Sequence, residues 1–596
     1  MVLQAVDWFS VIAFFVISLA IGVAVARRAG KNSSEFFLSG RNMPWWLLGV
    51  SMVATTFSAD TPNLVTDIVR QNGVAGNWVW WAFLLTGMLT VFVYAKLWRR
   101  SGVLTDLEFY EIRYSGRPAA FLRGFRALYL GVFFNVLIMA TVALAMIKIA
   151  GVMLNLSPEI TLIIASVVTV LYSALGGLRG VLITDFFQFF VAMAGSIGAA
   201  IVAVNLTDVG GLGALLTDSR VLPKLRLLPD FSNTEALLTL LVLPLAVQWW
   251  SVWYPGAEPG GGGYIAQRML SAKTERHAIG ATLLFNVAHY ALRPWPWIIV
   301  ALCSLLVYPD LESLRTAFPN VAEGVVQHDL AYPAMLTHLP SGLLGVVVAS
   351  LIAAFMSTIS THLNWGSSYV VNDFYKRFIN PDADDRLQVR VGRWSTVVLM
   401  VLAGLLALLL SNALQAFNIL LQIGAGTGLL FILRWFWWRI NPWSEITAMV
   451  VSFLVAVYFQ FVHVPMGLPE LHSGLQLVIG VAMTTLAWVG VTFVTQPSDS
   501  RTLLRFYNLV RPGGPGWRRV VAEGQQRGIE MAGAGQAWEV PLELLCMLFG
   551  TFMVYGALFS TGYLLYGNIL PALLLGGVAL GAALALFRLW RKLRAE

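Results

Sequence analysis

The chain has 596 residues, of which 58% are hydrophobic and only 12% are charged. A soluble protein of this composition would have too little polar surface, so the sequence excludes a water-soluble domain and indicates an integral membrane protein. The net charge of +8 would suit an acidic partner, but the positions of the basic residues explain it without one.

Long apolar stretches recur along the whole chain. About 20 such residues form a helix that crosses a hydrocarbon core of about 30 Å. The sequence predicts an all-α polytopic protein with about fifteen transmembrane helices. Their limits are 7–26, 43–70, 77–97, 121–150, 157–176, 178–206, 235–257, 279–308, 338–371, 391–411, 413–436, 442–463, 475–495, 541–563 and 568–588.

The basic residues predict the orientation of these spans. With the N-terminus outside, 32 of the 39 Lys and Arg lie in inner loops, in the C-terminal tail or near the inner ends of spans. This asymmetry obeys the positive-inside rule, so no nucleic-acid partner is expected. Arg27 and Arg28 follow the first span, the reverse of a cleavable secretory signal, which predicts a retained anchor. We expect a bacterial-type plasma membrane, contact with its lipids, and a cytoplasmic C-terminus.

Two of the predicted spans contain residues that interrupt a helix. The second span, 43–70, has Thr55 to Pro62 in its middle. The seventh runs from about Leu238 into Tyr254 to Pro259 and then four glycines, Gly260 to Gly263. Broken helices at membrane depth are tolerated only beside a cavity. Paired breaks in two repeats point to the binding site of a secondary transporter.

The two breaks are five spans apart, so these spans cross the membrane in opposite directions. This offset predicts two inverted five-helix repeats, each with a discontinuous first helix. Residues 1–40 would form an anchor helix and inner loop, 41–206 the first repeat, 235–440 the second, and 441–596 accessory helices. Within the last part, 496–540 reads as a cytoplasmic linker with a short helix.

Three motifs are distinctive. They are Tyr172 to Gly180 with Thr184, Asp185 and Gln188; Tyr264 to Arg268 with Ala272 and Lys273; and Ala353 to Thr358 continuing to Asn372 through Tyr375. Together they resemble motifs of the sodium:solute symporter family. Gly180 departs from the small Ala, Ser or Pro usual there. The resemblance covers about residues 7–440. It implies a leucine-transporter-type fold, alternating access, and symport of a small organic solute with Na⁺ as coupling ion and no organic cofactor.

A candidate sodium site lies in the ninth predicted span. Ala354, Ser357 and Thr358 are spaced i, i+3 and i+4, so one carbonyl and two hydroxyls share a helix face. Oxygen ligands of this kind suit a hard cation. The resemblance adds the carbonyls of Ala54 and Phe57. Alternatively, both hydroxyls bond to carbonyls one turn earlier.

Asp185 follows the signature glycines at the start of a span. A carboxylate at membrane depth is expensive and therefore a functional candidate. The resemblance places it near the sodium exit route. The alternative is a first-turn Asp that suits the helix dipole.

Candidate solute residues lie at both breaks. Thr56, Asp60 and Thr61 belong to the first break, where Asp60 is suited to bind an ammonium or a sugar hydroxyl, or to cap the following half-helix. Trp253 and Tyr254 precede the second break, where aromatic residues of the family gate or stack on the solute; ordinary aromatic packing is the alternative.

A further pair lies in the eighth span. His289 and Arg293 are four residues apart on one face, suited to bind an anionic solute or to pair with Asp60 or Glu258. Trp80 occupies the place of an acidic sugar ligand in sugar-transporting members, so it is included as a candidate contact and argues against a sugar. Thr56 stands where proline-type members carry Asp, so that substrate is not favoured either.

Other functions lack their sequence features. An intramembrane enzyme needs a nucleophile with its base or a His-Glu-x-x-His helix, and the seven histidines show no such spacing. A transport-like sensor would carry a signalling domain, for which 496–540 is too short. Proton coupling would need a titrating carboxylate in place of Ser357 and Thr358. Cys303 and Cys546 lie within spans, so neither a disulfide framework nor a thiolate metal site is expected.

Overall fold

The computed structural model describes residues 3–29, 32–154, 156–252, 258–319, 321, 326–410, 424 and 426–593. In these ranges all regular structure is helical, apart from one isolated bridge between Met43 and Ala272. The prediction of an all-α protein is therefore confirmed.

The helices are numbered in chain order. Those before the second break are α1 (Ala5–Ala29), α2 (Ser33–Leu38), α3 (Trp45–Thr56), α4 (Thr61–Asn72), α5 (Val74–Ser101), α6 (Phe109–Arg113), α7 (Gly116–Leu154), α8 (Pro158–Val204), α9 (Leu212–Thr217) and α10 (Thr234–Ala246).

Thirteen more helices are described after that break. They are α11 (Gly263–Ser271), α12 (Glu275–Val307), α13 (Leu311–Ala317), α14 (Ala331–Leu336), α15 (Leu343–Ile379), α16 (Asp385–Ala407), α17 (Gly428–Leu433), α18 (Pro442–Val462), α19 (Ser473–Val494), α20 (Ser500–Val510), α21 (Arg518–Gln526), α22 (Val540–Leu565) and α23 (Ile569–Trp590).

Ten described helices are long and apolar enough to cross a membrane. Four shorter apolar helices lie in α1, α3, the first part of α8 and α10. The exact count of fifteen is thus not reproduced; the predicted span 413–436 falls largely on residues outside the described ranges. A kink at Gly177, with φ 53° and ψ −160°, divides α8 between the predicted spans 157–176 and 178–206.

The inner helices carry buried polar side chains among their apolar residues, whereas the peripheral helices are almost entirely apolar. α8 packs along α15 and α1, and α3 packs against α12. α22 and α23 pack on each other, and α23 exposes Leu570, Leu573 and Leu574. Exposed leucines on a helix of this length suit a lipid-facing surface, because lipid tails solvate them as well as a protein core does.

The chain leaves helical geometry at the second predicted break. A 3-10 turn at Gln248–Trp250 follows α10, residues 258–262 are not helical, and the next described helix begins at Gly263. Gly260 and Gly261 both have φ of +86°, a backbone conformation that favours glycine. Trp98 Nε1 donates to the Gly260 carbonyl at 2.7 Å, which ties this segment to α5.

Four buried charged residues connect this segment to three helices; we call Arg126, Glu258, Arg434 and Glu445 the Arg126 cluster. Arg126 is in direct ion-paired contact with Glu258. Arg434 lies 3.5 Å from both Glu258 and Glu445. Tyr114 donates to the second oxygen of Glu445 at 2.6 Å. Two cations and two carboxylates therefore neutralise each other inside the protein.

The segment 496–540 contains two helices, α20 and α21, where a single short helix was expected. Leu503, Phe506 and Tyr507 give α20 an apolar face that is buried against α5 and α6. The ring of Phe506 stacks on Trp517 with centroids 5.6 Å apart. This packing holds the segment against the helical body.

Candidate functional site

The first break separates α3 from α4. Phe57, with φ −87° and ψ 69°, ends the helix, and α4 begins at Thr61 with a proline in its first turn. The Thr56 hydroxyl lies 3.0 Å from the Val53 carbonyl, so it competes with the backbone ladder where α3 ends. Asp60 makes no capping hydrogen bond with its side chain. The carbonyls of Ala54 and Phe57 thus lie at a helix end.

The hydroxyl-bearing face of α15 meets this helix end. Thr358 Oγ1 lies 2.7 Å from the Thr55 carbonyl and 3.1 Å from the Ala354 carbonyl. Thr358 therefore has both the backbone contact one turn earlier and a contact across to α3. Ser357 behaves differently, because its hydroxyl donates to Asp185 Oδ1 at 2.7 Å. The structure thus brings α15 against the end of α3, where Thr358 contacts the Thr55 carbonyl.

Asp185 lies in the second half of α8 and is fully buried. Its other oxygen accepts from Ser51 at 2.5 Å, and Arg268 Nη2 lies 3.7 Å away. Because a carboxylate only accepts, Ser357 gives its hydrogen to Asp185 and keeps its lone pairs for another donor or a cation. The first-turn, solvent-facing alternative for Asp185 does not describe this position.

Arg268 and its partners were missed as site residues. Arg268 is also fully buried, lies 3.1 Å from Ser51, and donates to Thr361 at 2.8 Å. Thr361 in turn lies 2.9 Å from the Thr55 hydroxyl. Arg268 was part of a quoted motif, and an Arg near a transmembrane break is a signal that could have linked it to Asp185.

A cavity of about 260 Å³ opens on the other side of the first break. Its walls come from α3, α4, α5, α7, α12 and α15. Six of the predicted solute residues line it: Thr56, Asp60, Thr61, Trp80, His289 and Arg293. Thr358 also lines it, so the candidate sodium site borders the cavity. Trp253 and Tyr254 lie outside the described residues.

His289 and Arg293 form one hydrogen-bonded unit with Thr56. Arg293 Nη2 lies 3.1 Å from His289 Nε2, and Thr56 Oγ1 lies 3.0 Å from His289 Nδ1. Since a guanidinium only donates, Nε2 accepts and the proton of a neutral imidazole sits on Nδ1. Arg293 Nη1 also approaches Thr56 Oγ1 at 3.2 Å. Thr56 therefore connects the helix break to the cavity cations.

Aromatic rings form one wall of the cavity. Trp80 stacks on Tyr290 with centroids 5.8 Å apart and an interplanar angle of 23°. The ring of His289 lies 5.7 Å from Trp80 in an edge arrangement. Tyr290 was not predicted, although its place beside His289 in the sequence could have suggested it.

Three further charged residues line the same cavity: Asp67, Lys148 and Asp329. Lys148 Nζ lies 2.9 Å from Asp329 Oδ2. Lys148 lies inside the predicted span 121–150, and the sequence alone assigns it no role. Its partner lies 181 residues away, beyond the reach of any local pattern. Of the two carboxylates considered as partners of His289 and Arg293, Glu258 is instead engaged in the Arg126 cluster.

Comparisons with known proteins agree on one family. The model of the sodium:solute symporter family matches residues 36–451. A sodium/glucose cotransporter from Vibrio parahaemolyticus is 26% identical over 494 residues, which are 80% of this chain and 89% of that protein. A sodium/mannose cotransporter from Bos taurus is 25% identical, over 81% of this chain and 85% of its own.

One solved structure shares the fold. It is a Na⁺-coupled sialic acid symporter in a substrate-bound outward-open state, with a TM-score of 0.65 and 19% identity. The similarity covers 83% of this chain and 99% of that one.

Proposed function

The chain belongs to the sodium:solute symporter family, and on this premise we propose that it couples entry of Na⁺ to the symport of one small organic solute by alternating access. Its two ligand sites lie on opposite sides of the break between α3 and α4. The family consists of transporters, so the protein is not an enzyme.

The sodium site of this proposal consists of the carbonyls of Ala54, Phe57 and Ala354 and the hydroxyls of Ser357 and Thr358. The observation that carries it is the pair of contacts made by α15. Thr358 reaches the carbonyl of Thr55 at 2.7 Å, while Ser357 gives its hydrogen to Asp185 at 2.7 Å. Each hydroxyl gives its single hydrogen to an oxygen acceptor and keeps its lone pairs free for a cation, and oxygen ligands of this kind suit a hard cation.

Asp185 would fix the orientation of the Ser357 hydroxyl without contacting the ion itself. Its two oxygens hold the hydroxyls of Ser51 and Ser357, and Arg268 lies 3.7 Å away. Partners that fix a ligand's orientation contribute to affinity without touching the ion. When the hydroxyl of Ser357 turns away, the carboxylate becomes available to an ion leaving the site, which fits the exit role implied by the resemblance.

The solute site is the cavity lined by Thr56, Asp60, Thr61, Trp80, His289 and Arg293. Thr56 would couple the two sites. Its neighbours Ala54 and Phe57 offer carbonyls to sodium, and its hydroxyl contacts His289 and Arg293. An ion that fixes the end of α3 also fixes the solute contacts, and by linkage the solute strengthens sodium binding to the same degree.

Sodium is favoured over protons as the coupling ion. Protonating His289 would place an Nε2–H opposite the donors of Arg293, so the observed unit resists it. Asp185 is engaged as an acceptor by two hydroxyls. One Na⁺ moved with a neutral solute would contribute about 2.3 kcal/mol per 100 mV of membrane potential.

The two inverted repeats, 41–206 and 235–440, remain part of this proposal. The interruptions after Thr56 and after Trp250 support it, since each would fall in the first helix of its repeat.

The test is uptake into proteoliposomes with a panel of sugars, amino acids and carboxylates under a sodium or a proton gradient. We expect the double substitution Ser357→Ala and Thr358→Ala to abolish sodium stimulation. The control is Ser368→Ala, a buried serine of α15 that bonds only to its own helix, at the Trp365 carbonyl. Unchanged sodium dependence in the double variant, or equal accumulation driven by protons alone, would contradict the proposal.

A further inference from the structure

Arg293 is buried without a negative partner in the part of the chain that the structure describes. It is 2% exposed, and its contacts are His289 Nε2 at 3.1 Å, Thr56 Oγ1 at 3.2 Å and the Val53 carbonyl at 3.5 Å. All three acceptors are neutral. Its Nε is buried with no hydrogen-bond partner.

This arrangement is costly unless something else supplies the counter-charge. A cation inside a membrane protein normally faces a partner or a cavity, and here it faces a cavity. The other cation lining the same cavity, Lys148, already has Asp329 at 2.9 Å. Asp60 lies within electrostatic range of Arg293 but forms no ion pair with it, so a ligand in the cavity is the anion that could contact the guanidinium directly.

Asp60 provides the opposite charge in the same cavity. Its carboxylate does not cap α4, and no cation of the described residues lies within 4.0 Å of it as an ion pair. The hydroxyl of Thr61, the next residue, donates to the Thr56 carbonyl at 3.4 Å. The turn that contains Asp60 therefore folds back onto Thr56, which Arg293 also contacts. Arg293 and Asp60 thus line one cavity without an ion pair to each other or to another described residue. A further carboxylate of the lining, Asp67, accepts a hydrogen bond from Gln71 at 2.7 Å.

We propose that the solute is a zwitterion, such as an α-amino acid or a betaine, whose carboxylate binds Arg293 and whose cationic group binds Asp60. This deepens the proposed function and rests on it. His289, locked by Thr56, holds the guanidinium in place for the carboxylate. The Trp80 and Tyr290 rings, with Phe83, form an apolar wall for the rest of the solute.

The other solute classes fit the same charges less well. A neutral sugar would leave both charges without a partner. A simple carboxylate would pair with Arg293 but leave the negative charge of Asp60 without a partner. An amine would pair with Asp60 but leave the positive charge of Arg293 without one. Only a solute that carries both charges neutralises both groups, and a bound charge left unpaired in a desolvated site is expensive.

The first experiment measures binding and uptake by the whole protein in proteoliposomes with sodium. The zwitterionic probes are the twenty standard amino acids and glycine betaine, and D-glucose is the neutral probe. The strongest binder is then compared with its single-charge analogues; for L-phenylalanine these are 3-phenylpropanoate and 2-phenylethylamine. We expect the zwitterion to bind at least about 100-fold more tightly than either analogue.

Substitutions then test which residue binds which charge of the solute. Arg293→Gln should weaken the zwitterion about 100-fold and leave the amine analogue unweakened. Asp60→Asn should weaken the zwitterion and improve the acid analogue, which a general loss of folding cannot do. Lys96→Arg is the matched control, because it keeps a buried cation paired with Glu539 outside this cavity and should not alter the selectivity.

The outcomes separate this inference from the proposed function. Sodium-driven uptake of D-glucose or of an acid alone, with no binding of any zwitterion, overturns the inference and leaves sodium symport standing. Sodium stabilisation of the protein without any zwitterion binding also overturns it. Absence of any sodium effect on stability or on uptake contradicts the proposed function itself.

Discussion

Buried charges occur in two regions of this protein, and the two regions treat them in opposite ways. In the Arg126 cluster each carboxylate has a guanidinium within 4.0 Å, and the rings of Tyr110 and Phe431 lie under the cations. In the cavity, Arg293 has only neutral acceptors and Asp60 has no ion pair in the described ranges. The charges of the first region neutralise each other, whereas we propose that a bound solute neutralises those of the second.

The difference separates structural charges from functional ones. A buried ion pair contributes little net stability, but removing one partner leaves an uncompensated charge and is strongly destabilising. Removing a buried charge that has no partner leaves no opposite charge uncompensated, so this destabilising contribution is absent. The same substitution at the two sites should therefore have opposite consequences for stability and for transport.

Arg126→Met should give the largest loss of stability. It leaves two carboxylates with Arg434 alone, at a cost of about 3 kcal/mol in the free energy of unfolding. Thermal unfolding of the purified protein in detergent, followed by intrinsic fluorescence, measures the fall in melting temperature. The double variant Arg126→Met with Glu258→Leu removes one charge of each sign and should be less destabilised. An equal or greater loss in the double variant would show that the ion pair is not the source.

Much of the fold could be predicted from the sequence because its signals are local. Twenty apolar residues in a row predict a span, and Pro62 or the glycines from Gly260 to Gly263 predict an interruption wherever they occur. The count of helices was less certain, because the apolar stretches of α8 join through Gly177 and α10 is short. The second helix of 496–540 was missed because α21 has few apolar residues.

Lys148→Met should cause an intermediate loss of stability. Lys148 shares one property with each region, because it is paired like the Arg126 cluster and lines the cavity like Arg293. Lys148 lines the cavity, yet it is paired with Asp329, whose side chain is 24% exposed. Water can partly solvate the Asp329 carboxylate once it is alone, so we expect a loss of about 1 kcal/mol, smaller than at Arg126. The same fluorescence melt measures it, and Lys148→Arg should restore the stability. A loss as large as that of Arg126→Met would contradict this grading.

The candidate site was predictable only in part. The spacing of Ala354, Ser357 and Thr358 puts them on one face, and the structure brings that face to the end of α3. The pairing of Asp185 with Ser51, Ser357 and Arg268 joins four helices that are far apart in the chain. No periodicity encodes such contacts. The partner of Arg293 was open between a solute, Asp60 and Glu258, and only packing reveals that Glu258 is already engaged elsewhere.

Arg293→Met should have the smallest effect on stability and completes the comparison. The substitution removes a buried cation without leaving a carboxylate unpaired, so the melting temperature should stay within the equivalent of about 1 kcal/mol or rise. Hydrogen bonds to His289 and Thr56 are lost, but both can still bond to each other. Solute uptake should nevertheless fall to background, since the cavity then lacks the group proposed to bind the carboxylate. For the melting temperature the matched control is Arg126→Met, which makes the same chemical change at a cation that has a carboxylate partner. If Arg293→Met were as destabilising as Arg126→Met, Arg293 would be held by a structural partner, and the distinction between self-neutralised and ligand-neutralised charges would fail.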